Sequence, residues 1–225
     1  TYSNRNKTMA AFDLEEQEQI SQIKGWWEQY GKLVTLVAMV AALASVGWQG
    51  WNWYKGRQVQ DASALYGQLQ KAAAERNAQK ARELAGELID KFAGTAYADL
   101  AALLSAKVQM EAGDLKNARV PLAWAAAKAN DAALRDLARL RLATVMLDDK
   151  AYDEALAQLQ APADESFAAR FADLKGDVLV AQGKKDEARA AYKVAIAALD
   201  QATKSEAVTL RELAQAKLDA VGGAQ

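Results

Sequence analysis

Apolar and polar positions are distributed along this chain in two contrasting ways. From Leu33 to Gly47 the residues read LVTLVAMVAALASVG, and nothing charged stands between Lys32 and Lys55. About 20 residues of helix cross a hydrocarbon layer, so this run predicts one transmembrane helix over 33–54. Thr35 and Ser45 are tolerated within it, because their hydroxyls can bond back to their own helix. Aromatic residues bracket the run: Trp26, Trp27 and Tyr30 before it, Trp48, Trp51, Trp53 and Tyr54 after it. Such rings suit the headgroup layer, apolar body inward and polar edge wet, and they are the expected membrane-interface anchors. A buried core helix would not explain two aromatic belts. A cleaved signal peptide needs a short apolar stretch near the start, whereas this one begins late, after an acidic segment. A retained anchor is therefore expected.

Ahead of the anchor, Ile20, Ile23, Trp26, Trp27 and Tyr30 recur at three- and four-residue steps. That spacing predicts an amphipathic helix within 9–32, lying on a membrane or a partner. A plain lead-in to the span is the alternative reading. Residues 1–8 lack apolar periodicity and precede Met9. They read as a cloning remnant or an over-called start.

Beyond Lys55, over 55–225, the pattern changes to helical periodicity with self-similarity. The clearest unit is FADLKGDVLVAQGKKDEARAAYKVAI, Phe171 to Ile196. In it Gly176 is followed by Gly183, then by Ala188, Tyr192 and Ala195. These offsets match the tetratricopeptide pattern, in which small residues let antiparallel helices cross closely and a glycine turns between them. Lys175 departs from it, since the pattern has leucine there and Leu174 stands one position earlier. Weaker units run from Leu100 to Ala129, turning at Gly113 and Asp114, and from Leu134 to Gln160, turning at Asp148 to Lys150. The most degenerate covers Ser63 to Phe92 and turns near Asn77. The packing alanines Ala81, Ala118, Ala155 and Ala188 are spaced 37, 37 and 33 apart, close to the family period of about 34 residues. Thr203 to Val221 predicts a closing helix, with Val208, Leu210, Leu213, Leu218 and Val221 on its apolar face, stopped by Gly222 and Gly223. Solenoids need such a cap. Pro121 is expected to start or kink a helix. Pro162 marks a longer link. Trp124 reads either as core or as an exposed anchor for a bound peptide.

The fold class is thus all-α: a transmembrane helix, then a tetratricopeptide-repeat-like solenoid with a C-terminal capping helix. Composition agrees. Only 2 prolines occur, apolar residues make up 52%, and mean hydropathy is still slightly negative, so the extra apolarity is local. Net charge is −1, which gives no general excess of basic residues for neutralising nucleic-acid phosphates. There is no cysteine and no histidine. That removes disulfides, thiol catalysis and the commonest general base and metal ligand. No phosphate loop or nucleophile elbow is present. Asp148 and Asp149 fall at a turn and read as structural. Lys184 to Glu187 reads as a solvated helix start. We expect no catalysis, cofactor or metal.

The stretch DLEEQEQISQIKGWWEQYGK, the membrane run, the Trp-rich exit and GDVLVAQGKKDEARAAYKVAI together resemble the YfgM-type family of ancillary SecYEG translocon subunits. The resemblance extends from Met9 to the end. It implies a single-pass protein of the bacterial inner membrane, with the N-terminus cytoplasmic and the repeat domain periplasmic. Charge alone leaves that orientation open, with Lys24 and Lys32 on one side against Lys55, Arg57 and Lys71 on the other. Implied partners are the SecYEG translocon, a membrane-anchored periplasmic chaperone of the peptidyl-prolyl isomerase class, exported client proteins and the lipid bilayer. No nucleic acid is implied. Ala38, Ala41, Ala42 and Ser45 form a small-residue face that would let another membrane helix approach. Two further functions stay open: a scaffold of another envelope assembly, and a tethered regulator that sequesters a signalling protein.

Overall fold

The computed structural model describes residues 5–160, 162, 164–200 and 205–222, with side chains from residue 24 onward except at 200, 205 and 206. Two compact units divide the chain, Thr1–Gly56 and Arg57–Gln225. All regular elements among the described residues are helical.

The first unit consists of the leading part of α1, a helix that runs over Arg5–Ala74. The sequence suggests boundaries at 32/33 and 54/55, yet the helix has no break at either. No proline falls within it to remove a backbone donor.

The second unit begins with the remainder of α1 and continues through α2 (Ala78–Phe92), α3 (Ala96–Glu111), α4 (Leu115–Lys128), α5 (Ala132–Asp148), α6 (Tyr152–Gln158), α7 (Ala168–Ala181), α8 (Lys185–Asp200) and α9 (Ser205–Ala220). Successive helices from α2 to α9 pack on one another. The closing helix expected from Thr203 is described from Ser205; Thr203 and Gly223 lie outside the described residues.

Four turns join the helix pairs, and all four have the same construction. Arg76, Gly113, Lys150 and Gly183 each adopt a left-handed conformation, with φ of 53°, 76°, 59° and 79°. Each sits five residues before its packing alanine. The next residue donates its N–H back across the turn: Asn77 to Ala72, Asp114 to Gln109, Ala151 to Met146 and Lys184 to Leu179. The left-handed residue itself donates to Ala73, Met110, Leu147 or Val180. This pairing is a Schellman motif, which satisfies the last carbonyls of a helix. The same residues that follow the turn then open the second helix. Their carbonyls accept the N–H of Ala81, Ala118, Ala155 and Ala188. Asn77 and Asp114 also cap by side chain, accepting from the N–H of Lys80 and Asn117. Asp114 is consequently held below the usual carboxylate range, first by its hydrogen bonds to Asn117.

All four packing alanines are fully buried. Twelve residues before each lies Leu69, Ala106, Ala143 or Gly176, also buried. Leu69, Leu84, Leu88 and Val108 anchor the first core cluster. Leu122, Leu142, Val145 and Phe171 anchor the central one. Two buried aspartates tie the loops down. Asp99 accepts the N–H of Asn130 at 2.9 Å, and Asp136 accepts that of Asp164 at 2.9 Å. They occupy equivalent places on α3 and α5, and each holds the loop that leads into the following repeat.

Pro121 lies inside a helix and does not start it. It is the seventh residue of α4, beyond the first turn, where its missing N–H deprives the Asn117 carbonyl of a helical donor. The link around Pro162 is held by Asp136 and ends in a 3-10 turn at Glu165–Phe167.

Candidate functional site

The first unit presents an uncovered apolar surface. Leu33, Leu36, Val37, Met39, Val40, Leu43 and Val46 are all exposed. The helix is long and apolar enough to cross a membrane, and none of its apolar window is buried. A continuous exposed surface of this kind is rare on a soluble monomer and marks contact with lipid or protein. Its polar atoms are satisfied internally, as hydrocarbon requires: Thr35 Oγ1 donates to the Gly31 carbonyl at 2.8 Å, and Ser45 Oγ to that of Ala41 at 2.8 Å. Trp26, Trp27, Tyr30, Trp48, Trp51, Trp53 and Tyr54 are exposed. The Trp26 and Tyr30 rings lie with centroids 5.8 Å apart, tilted by 39°. Lys55 Nζ lies 5.3 Å from the Trp51 ring centroid, a cation–π distance. Ala38, Ala41, Ala42 and Ser45 follow the three- and four-residue steps of one helix face and are exposed. The indole of Trp27 covers Gly31, with atoms 3.2 Å from the place a Cβ would take.

In the second unit, Gly176, Gly183, Ala188, Tyr192 and Ala195 all belong to the α7–α8 pair and the turn between them. Gly176 faces the Tyr192 ring. Ala188 and Ala195 are fully buried on α8.

A polar cluster beside this pair has no counterpart among the sequence expectations. Lys217 of α9 lies 2.7 Å from both Asp173 Oδ2 and Asp177 Oδ2 on α7. The Tyr192 hydroxyl donates to Asp177 Oδ1 at 2.8 Å. Lys217 Nζ also stands 5.9 Å from the Tyr192 ring centroid. Burial pushes the Asp173 carboxyl up, although Lys217 opposes it. Burial likewise disfavours charge on Lys217, but its two carboxylate partners together outweigh that and raise its pKa. Tyr192 is raised well above the ordinary tyrosine range, first by burial and then by the Asp177 carboxylate. The cluster fastens the capping helix to the last repeat. The one local signal for it is a lysine within the apolar pattern of α9.

Trp124 takes the core reading in part. It is half-buried against the central core and also lines a surface cavity on α2, α3 and α4.

A model of the tetratricopeptide repeat-like domain family matches residues 24–223. A Haemophilus influenzae protein named ancillary SecYEG translocon subunit is 30% identical over 209 residues, covering 93% of this chain and 98% of its own. One of the same name from Neisseria gonorrhoeae is 31% identical over 212 residues, covering 94% and 99%. A third, from Escherichia coli K12, is 28% identical and covers 80% and 87%. The likeness takes in the apolar helix, the repeats and the cap together, and the chain belongs to the tetratricopeptide repeat-like family of ancillary SecYEG translocon subunits.

Proposed function

We propose that this protein is a non-catalytic adaptor at the Sec translocon, tethered by α1 in the bacterial inner membrane. The observation that carries this is the match to ancillary translocon subunits over nearly their whole length. The N-terminus is cytoplasmic and the repeats face the periplasm. The apolar part of α1 contacts SecYEG, with Ala38, Ala41, Ala42 and Ser45 as the face where another helix approaches closely. The flanking Trp and Tyr residues fix its depth in the bilayer. The repeat domain hands newly exported chains to a membrane-anchored periplasmic chaperone of the peptidyl-prolyl isomerase class. It works through protein contacts alone, and its stacked helices supply the surface.

Affinity isolation of the tagged full chain from membranes in mild detergent tests this reading. SecY and a periplasmic isomerase-domain chaperone should be enriched, and SecY should be lost when residues 33–54 are exchanged for an unrelated span. Isolation with another envelope complex and without SecY would refute it.

A further inference from the structure

A cavity of about 260 Å³ opens on the second unit between α2 and α4, with Ser105 of α3 among its lining residues. Drug-sized ligands occupy roughly 300–1,000 Å³, so this volume suits one large side chain. Ala85, Ile89, Val120, Pro121 and Trp124 make its walls apolar.

Several features of this place are costly for a surface with no partner. Val120 is 70% exposed. Pro121 leaves the Asn117 carbonyl without its helical donor, and Asn117 lines the cavity. Ser105 is 1% exposed, and its Oγ has no hydrogen-bond partner. A buried hydroxyl is ordinarily paired. On the rim, the exposed Arg82 and Asp90 carry opposite charges, and the Arg82 guanidinium already helps to lower the pKa of Asp114. They lie eight residues apart on α2, roughly 12 Å at 1.5 Å per residue.

An extended peptide covers roughly that distance in four residues and points every second side chain the same way. We propose that this cavity docks an extended segment of a partner protein, with one leucine- or phenylalanine-sized side chain inserted beside Trp124. An acidic residue two positions to one side meets Arg82, and a basic residue two positions to the other meets Asp90. Backbone N–H groups of the segment supply donors near the Asn117 carbonyl. The recognised chemistry is acidic-x-apolar-x-basic in a strand. It does not depend on the translocon assignment.

Gly86 gives a clean test. It lines the cavity, and a Cβ added there meets nothing within 4 Å. Gly86→Leu therefore fills the void while improving helix propensity. The probe is a fluorescein-labelled peptide, Gly-Asp-Ala-Leu-Ala-Lys-Gly, titrated by anisotropy against the full chain in nanodiscs. It should bind at least tenfold more tightly than the same peptide with alanine for leucine. Gly86→Leu should weaken it tenfold without lowering the melting temperature. The double variant Arg82→Glu, Asp90→Lys should prefer the peptide with its two charges exchanged. Equal response to the leucine and alanine peptides, or full binding by Gly86→Leu, would overturn the proposal. So would loss of self-association in Gly86→Leu with no peptide binding by the parent, since a second copy would then be the occupant.

Discussion

A Cβ placed on Gly176 would fall 2.3 Å from Cε1 of Tyr192. The tyrosine ring fills the space that the missing side chain leaves, and its hydroxyl reaches back to Asp177 on the same helix as the glycine. Gly176→Ala should therefore destabilise the last repeat by about 1–3 kcal/mol, the usual cost of overpacking. Chemical denaturation followed by circular dichroism measures it. Tyr192→Leu made together with Gly176→Ala should cost less than the two changes summed, because the clash disappears with the ring. Strict additivity would show that the glycine matters for another reason.

Lys217 should dominate attachment of the capping helix. Lys217→Met leaves Asp173 and Asp177 facing each other without their shared cation, half-buried. Exposed pairs contribute little and fully buried ones much more, so we expect a loss of about 2 kcal/mol. Hydrogen exchange should locate the new opening in α9. A uniform loss of protection across the repeats would contradict the local role.

The same cluster predicts alkaline weakness. Tyr192 and Lys217 both have pKa values raised on folding. Their contributions are complete below the unfolded values of 10.0 and 10.5 and fade as pH rises through the folded ones. Melting temperature should fall as pH rises above about 10. Tyr192→Phe should flatten part of that fall, and an unchanged pH profile in that variant would count against the hydroxyl's role.

The four left-handed turn residues predict changes of opposite sign. Lys150 carries a Cβ at φ 59°, whereas Gly183 carries none at φ 79°. Left-handed conformation costs an L-residue about 1–2 kcal/mol, offset in part by glycine's larger unfolded entropy. Lys150→Gly should thus stabilise by roughly 0.5–1 kcal/mol and Gly183→Ala destabilise by about 1 kcal/mol. Denaturation midpoints decide both.

These turns also show what could be read in advance. Gly113 and Gly183 announce themselves, because glycine is the residue that a left-handed cap favours. Arg76 and Lys150 do the same job although neither residue favours that conformation; their turns were marked only by the neighbouring Asn77 and Asp148–Asp149, and the Schellman bonds hold them. The packing alanines were legible because a close helix crossing demands small residues at a fixed interval. Lys217 was not, since its partners lie 40 and 44 residues away and only the folded chain brings them together. The apolar run and its aromatic borders stood out as composition. The continuity of α1 through them did not, since a change in polarity need not end a helix.

Photo-crosslinking in living cells from Ala38 and Ala42 tests the central reading most directly. Both residues are exposed on the apolar stretch of α1. A photoreactive residue at either position, followed by mass spectrometry of the adducts, should capture SecY or a neighbouring translocon subunit. Adducts confined to an unrelated envelope complex, or none from either position, would contradict placement at the Sec channel.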